Sequence, residues 1–437
     1  MSRLRHTVNP IAMWFLWLLI TAALGLLSAA IQPAKAQTLA TLYSFTGGAD
    51  GNTPFGSLIK DKAGNLYGTA SWGGFEAGNC TYNGGYGTGC GTVFELTRSG
   101  RSWSFNVIHS FGGYPDDGAN PDHEFLAFDK NGNLYGTTYY GGTLPCSGQP
   151  GCGTVFELTP SQNGWTETML YSFPQGGNGA FSPDAGVAVD KNGNLYGTTF
   201  HGGNFLAGTV YKLTSSGTET LLHTFTGGAD GGYPYGGLIL DKKGNLYGTT
   251  QYGGTGVNCG SPGCGTVFKI APDGTETVLY TFQGGNDGEW PWAGVILDKQ
   301  GNLYGTTWVG GGTGCGGNGC GTVFKLAPDG TETLLHSFNS SDGEGVWGGV
   351  IFDPEGNLYG TTFVGGAHDE GTIYELTPSE GGWTATVLHS FDSYDGIDGA
   401  YPHGSLLLKG GILYGTTQAG GAYSQGAVFA MNPKEKK

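Results

Sequence analysis

Short runs of apolar, aromatic and β-branched residues, each broken by Gly, Pro, Asn or Asp, recur along almost the whole chain. One such stretch shows the pattern. Gly236-Gly237-Leu238-Ile239-Leu240-Asp241 alternates and is followed by the turn Lys242-Lys243-Gly244-Asn245. Leu246-Tyr247-Gly248-Thr249-Thr250 is a second run, and a Gly-rich loop leads to Gly265-Thr266-Val267-Phe268-Lys269-Ile270. The turn Ala271-Pro272-Asp273-Gly274 then opens a fourth run, ending at Phe282. Four short runs bounded by turn residues predict four strands, a to d. Past the N-terminal segment, no stretch has a helical period long enough to compete.

The second run, Gly-Asn-Leu-Tyr-Gly-Thr-Thr, begins at Gly244 and recurs at Gly64, Gly132, Gly193, Gly301 and Gly356, with a degraded copy at Gly411. Repetition at this period means that the fold must be read from the unit. Seven units of four antiparallel strands predict an all-β chain, a seven-bladed β-propeller. The first run after the leader, Thr38 to Phe45, matches strand d, and the last, Gly426 to Ala430, matches strand c. Pairing the two completes the seventh blade and hides two sheet edges. Strand direction puts the a–b and c–d turns on one face. The longer and more variable d–a and b–c loops share the other face, the top, where binding residues gather.

Residues 1–36 stand apart. Arg3, Arg5 and His6 precede an apolar run from Ile11 to Ala30, and Ala34-Lys35-Ala36 offers small residues for a peptidase. This predicts a signal peptide over 1–36 and a propeller over 37–437, secreted or periplasmic. An uncleaved anchor is the alternative, because the apolar run is near spanning length; after cleavage no membrane span is expected. The net charge of −16 becomes more negative without the basic leader. Such a chain is repelled by phosphate backbones, so nucleic acid is not an expected partner. A monomer is expected.

The eight cysteines form four local pairs, Cys80/Cys90, Cys146/Cys152, Cys259/Cys264 and Cys315/Cys320, each in a b–c loop. Present or missing together in an exported chain, they predict disulfides. Zinc would need four ligands together, which no unit supplies. Gly312-Thr313-Gly314-Cys315-Gly316-Gly317 matches a dinucleotide fingerprint by letter but precedes no helix. The d–a loops carry Asp-Gly at Asp50, Asp117, Asp230, Asp287, Asp342 and Asp395, with Asn178-Gly179 in the remaining loop. These predict turns rather than an EF-hand. No cofactor or metal is expected, and the weak candidate for calcium is Asp392, Asp395 and Asp398. His109, His223, His336 and His389 on strand d, in register with Tyr43, Tyr171 and Tyr280, are expected to be structural, as are the Asp residues that end strand a, such as Asp61 and Asp241.

The position six residues before the strand-a Asp varies most: Phe55, His123, Asp184, Tyr235, Trp292, Trp347 and His403 in blade order. It should stand at the channel mouth. A second set ends strand b: Trp72, Tyr139, Tyr140, Phe200, His201, Tyr252, Trp308 and Phe363. Flat aromatics beside carboxylates suit sugar rings; the alternative is that these rings pack the blade interfaces. For catalysis the candidates are His123 and Glu124 beside Asp122, and His368 beside Asp369 and Glu370, with His403. The two groups fall on nearly opposite sides of a seven-membered ring, and catalysis needs them to converge.

The unit Gly-Asn-Leu-Tyr-Gly-Thr-Thr … Gly-Thr-Val-Phe-Lys-Leu-Ala-Pro-Asp-Gly … Leu-His-Ser-Phe resembles the GloVer tandem-repeat family of exported bacterial proteins, over the whole chain after the leader. Members of that family often end in a surface anchor. Residues 430–437 do not match one, and free secretion or the periplasm is expected. The resemblance implies no established activity. Gly-Leu-Ile-Leu-Asp-Lys-Lys-Gly-Asn-Leu-Tyr also looks distantly like the strand pair of NHL and gluconolactonase-type propellers, which include lyases and lactonases, and their catalytic residues do not map onto this chain. Three functions therefore stand open. The first is a non-catalytic exported propeller that binds a glycan or surface protein at an aromatic-lined top face. The second is a lyase or hydrolase acting on a sugar or lactone, and the third a structural envelope protein.

Overall fold

The computed structural model describes residues 39–434, apart from 75–79, 81–88, 101, 122–125, 147–148, 175–178, 313 and 393–395. The leader, His123 and Glu124 lie outside the described residues. The described chain is all-β and forms seven small antiparallel sheets, the blades of a propeller. Blade four runs Ile239–Leu240, Leu246–Thr250, Thr266–Ile270 and Glu276–Thr281, in that order from the centre outwards. Leu39–Ser44 pairs with Ala427–Met431 and supplies the outer strand of blade seven, as the sequence predicts. The closure is reinforced by the Thr53 amide donating to the Gln425 carbonyl (3.0 Å) and by the buried Phe45.

The repeated letters have separate physical jobs. In Leu-Tyr-Gly-Thr-Thr, the Gly lies under the aromatic ring of strand c. A Cβ on Gly248 would sit 2.7 Å from the Phe268 ring, closer than any real contact. The first Thr staples one blade to the next, with Thr249 Oγ1 donating to the Ala293 carbonyl (2.8 Å). Thr416 makes the same bond to Gly56 across the closure (2.9 Å). The second Thr pairs with the first residue of strand c, Thr250 Oγ1 lying 2.9 Å from Thr266 Oγ1. At the foot of the blade, Asp241 accepts from the Asn245 amide (2.8 Å) and the Asn245 side chain (2.7 Å), closing the a–b turn.

The outermost strand carries a device of its own. Every c–d pair has a bulge, between Val267 and Phe268 in blade four. The extra residue re-aims the side chain beside it, which is Tyr280 here and a His in four blades. Tyr280 donates to Asp287 (2.8 Å) and Tyr43 to Asp50 (2.8 Å), in the loop that follows each strand. His336 Nε2 lies 3.0 Å from Asp342, and His109 and His223 approach Asp117 and Asp230 at 3.3 and 3.4 Å. His389 instead meets Asp398, at 2.7 Å, and Asp398 also bonds to Asp392. Two acids of the calcium candidate are thus engaged with protein groups, and Asp395 lies outside the described residues. The strand-d histidines are tethers between strand and loop.

Candidate functional site at the channel mouth

Each d–a loop ends in a residue held in the left-handed region: Thr53, Asn120, Ser182, Tyr233, Trp290, Gly345 and Tyr401, with φ between 55° and 70°. Non-glycine residues enter this region rarely, and here six of them, with Gly345 as the seventh, occupy one structural position. The reason is a double backbone bond. The Trp290 amide donates to the Cys264 carbonyl of the preceding blade (2.9 Å), and its own carbonyl accepts from Trp308 at the end of strand b (3.0 Å). Asn120, Ser182 and Gly345 likewise donate to Cys90, Cys152 and Cys320. The second cysteine of every pair therefore carries the carbonyl on which the next blade docks. All four pairs are joined within their own loops, with Cα–Cα distances of 5.2 to 5.4 Å. Glu289 and Glu344 lie beside the Cys259–Cys264 and Cys315–Cys320 bridges. With both sulfurs spent in disulfides, each site offers one carboxylate and no metal-ligand set.

Two residues after the left-handed one stands the mouth residue. Usually a proline intervenes, whose fixed φ aims the next side chain at the channel. Five of the seven sequence-predicted positions meet in one aromatic chain. Tyr235 to Trp292 is 5.2 Å between ring centroids, Trp292 to Trp347 4.1 Å, Trp347 to His403 3.8 Å and His403 to Phe55 4.8 Å. Strand-b rings back this row, Trp308 at 4.2 Å from Trp292 and Phe363 stacked at 5.1 Å on Trp347. Gly345 replaces a bulky residue in blade six because the Trp308 indole lies on it, 2.6 Å from where a Cβ would be.

Below the rings the inner strands touch through backbone. A Cβ on Gly236 would sit 2.2 Å from the Gly294 nitrogen, and one on Gly404 would sit 2.9 Å from Gly56. The space left among the mouth rings is about 30 Å³. A separate cavity of about 300 Å³ lies further down, lined by Leu238, Val295, Val350 and Leu406. Among the described residues the mouth is therefore a shallow platform with little room between its rings.

Asp184 is the sixth position, and it is buried at the same level of blade three. Its charge opposes the burial that lowers the pKa of His201, an imidazole packed beside Phe181 and Phe200. Blade two holds one residue more than its neighbours. Counted forward from Asn120 its mouth residue is Asp122, and counted back from Asp129 it is His123. Both lie outside the described residues. Of the described catalytic candidates, His403 is buried among Phe55, Trp347 and Phe363, whereas His368 is exposed in a b–c loop. Sequence reasoning missed the left-handed position, although its Xaa-Pro signature is visible in six units.

The chain matches the model of the Gloeobacter/Verrucomicrobia repeat over residues 31–259, 142–317 and 313–437. No curated protein matches it significantly. Among solved structures it is similar to the extracellular domain of a protein assigned as a one-component system of B. thetaiotaomicron. That match has a TM-score of 0.53 and 10% identity, and covers 90% of this chain and 40% of that one. It is also similar to a protein assigned as a 6-phosphogluconolactonase of Bacteroides uniformis, with a TM-score of 0.48 and 14% identity over 78% of this chain and 87% of that one. Identities this low bear on fold alone. The disulfides are consistent with an exported protein. No helix among the described residues is long and apolar enough to cross a membrane.

Proposed function

The chain belongs to the Gloeobacter/Verrucomicrobia repeat family, and from that premise we propose an exported, non-catalytic propeller that holds a neutral glycan across its aromatic top face. The observation that carries this reading is the row Tyr235, Trp292, Trp347, His403 and Phe55, backed by Trp308 and Phe363, in which every ring but the buried His403 is partly exposed. Aromatic faces offer a sugar the apolar side of its ring, and nearby polar groups bond its hydroxyls. A shallow platform suits a chain laid across it better than a small molecule swallowed by it. The acidic charge of the chain favours neutral over anionic saccharides.

The enzyme reading has less support. His403 is enclosed by rings and His368 stands in solvent, so the described candidates share no reacting atom. The experiment is a calorimetric screen of neutral and uronic-acid oligosaccharides with tryptophan emission followed in parallel. The proposal expects a neutral oligosaccharide to saturate one site and shift the emission. Binding without an emission change, or turnover of any saccharide, would overturn it.

A further inference from the structure

The top face differs from the rest of the molecule in charge and in apolar exposure. No Lys or Arg occurs in any d–a or b–c loop. Among the described residues every one lies in a strand, in an a–b or c–d turn, or at the C-terminal Lys434, whereas Asp116, Asp369 and Glu370 are among many acids of the top loops. The same loops carry exposed apolar tips. Leu144, Phe205, Leu206, Val257, Ile397 and Tyr423 are each 42% to 79% exposed, and they are six of the eight large hydrophobics that stand open among the described residues. Leu144, Phe205 with Leu206, and Val257 sit on the b–c loops of three successive blades.

Two of these tips are held by backbone contacts. Leu206 is left-handed (φ 58°), its amide donates to the Gly203 carbonyl (3.2 Å), and His201 is hydrogen-bonded to its backbone. A bulky residue fixed in that region on an exposed tip costs free energy, and such strain concentrates at functional positions. The Ile397 carbonyl is pinned by Thr41 Oγ1 (2.8 Å), across the ring closure. Tips already ordered lose little entropy on binding.

We infer that the rim of the top face is a docking surface for a basic polypeptide that carries apolar side chains. Scattered exposed hydrophobics are ordinary, but here six of the eight among the described residues fall on one face. A purely acidic surround steers a basic partner and rejects anionic lipid and nucleic acid. The inference concerns the rim and does not depend on what the mouth rings bind.

The test is titration with three probes at low and high salt: an amphipathic Lys–Leu peptide, its Glu–Leu counterpart, and phosphatidylglycerol vesicles. The Lys–Leu peptide alone should bind, and more weakly in high salt. The double variant Phe205→Ser/Leu206→Ser should weaken it about tenfold or more, with an unchanged melting curve. Val257→Ser, on a separate loop, should weaken it in the same direction. Asp116→Lys on the top face should weaken it, whereas Asp273→Lys in a c–d turn should not. Equal binding by wild type and the double variant, or equal damage by the two Asp→Lys changes, would overturn the inference. Vesicle binding without peptide binding would overturn it too, and assign the rim to a lipid surface.

Discussion

In blades three and five a left-handed residue and a proline present the next side chain to the channel mouth, and that side chain is Asp184 in one and Trp292 in the other. On the outer strands of the same molecule, a bulge presents a His or Tyr to a loop Asp in six of the seven blades, with Tyr171 donating to Glu219 instead. The backbone solution repeats in both regions. Only the outer region repeats its side chains. Side chains that must satisfy one another are fixed by the repeat, whereas the mouth asks the repeat only for a backbone and leaves the side chain free to vary. That freedom is where a ligand preference can be written without disturbing the fold.

Breaking the repeating region should have the largest effect. Removal of residues 37–45 deletes the outer strand of blade seven and exposes the edge of Ala427–Met431 and the core around Val428. The expected outcome in a thermal scan is loss of a single cooperative transition. A wild-type-like melt would mean that the ring does not depend on its closure.

Replacing Cys259 and Cys264 by Ser should have a smaller effect. The loop they close is short, and the chain-entropy account gives about 2 kcal/mol. Because Trp290 docks on the Cys264 carbonyl, the loss should be felt at the mouth, as a change in tryptophan emission that precedes global unfolding. A stability loss with unaltered native emission would separate the disulfide from the mouth.

The smallest effect is on pH dependence. Burial, with Asp230 or Asp287 nearby, pushes the Glu276 and Glu332 carboxyls up to about 7. Each then binds more protons folded than unfolded between its ordinary value and about 7, so its contribution to stability falls as pH rises through that window. Melting temperatures measured from pH 5 to pH 8 should therefore decline, and Glu276→Gln with Glu332→Gln should flatten the decline. Asp241 and Asp298 have the opposite sign: turn hydrogen bonds hold them low, and their contribution is lost only under acid. An unchanged slope in the double Gln variant would assign the effect elsewhere.

Most of the fold was legible in the letters. The run Gly-Asn-Leu-Tyr-Gly-Thr-Thr encodes a turn, a close approach and two hydroxyl staples, so its recurrence counts blades and its d-like start reveals the closure. The disulfides were legible because each pair is local. The mouth was legible as a row of positions, but its packing was not. Contacts such as Trp347 to His403 join residues 56 apart in sequence, and depend on how closely Gly348 and Gly404 let two blades approach. Blade two shows the limit of counting: one extra residue between Asn120 and Asp129 moves the mouth position from His123 to Asp122, depending on which landmark is used.

The most direct test of the glycan platform is Trp308→Ala, with a melting curve and a binding isotherm for the saccharide that wild type prefers. Trp308 backs Trp292 without belonging to the inner row. Stacking of this kind contributes about 0.5–1.5 kcal/mol beyond area burial, so affinity should drop roughly two- to tenfold while most of the protein remains folded at the titration temperature. A melting point lowered by many degrees, with affinity per folded molecule unchanged, would contradict the platform and leave the mouth rings as packing.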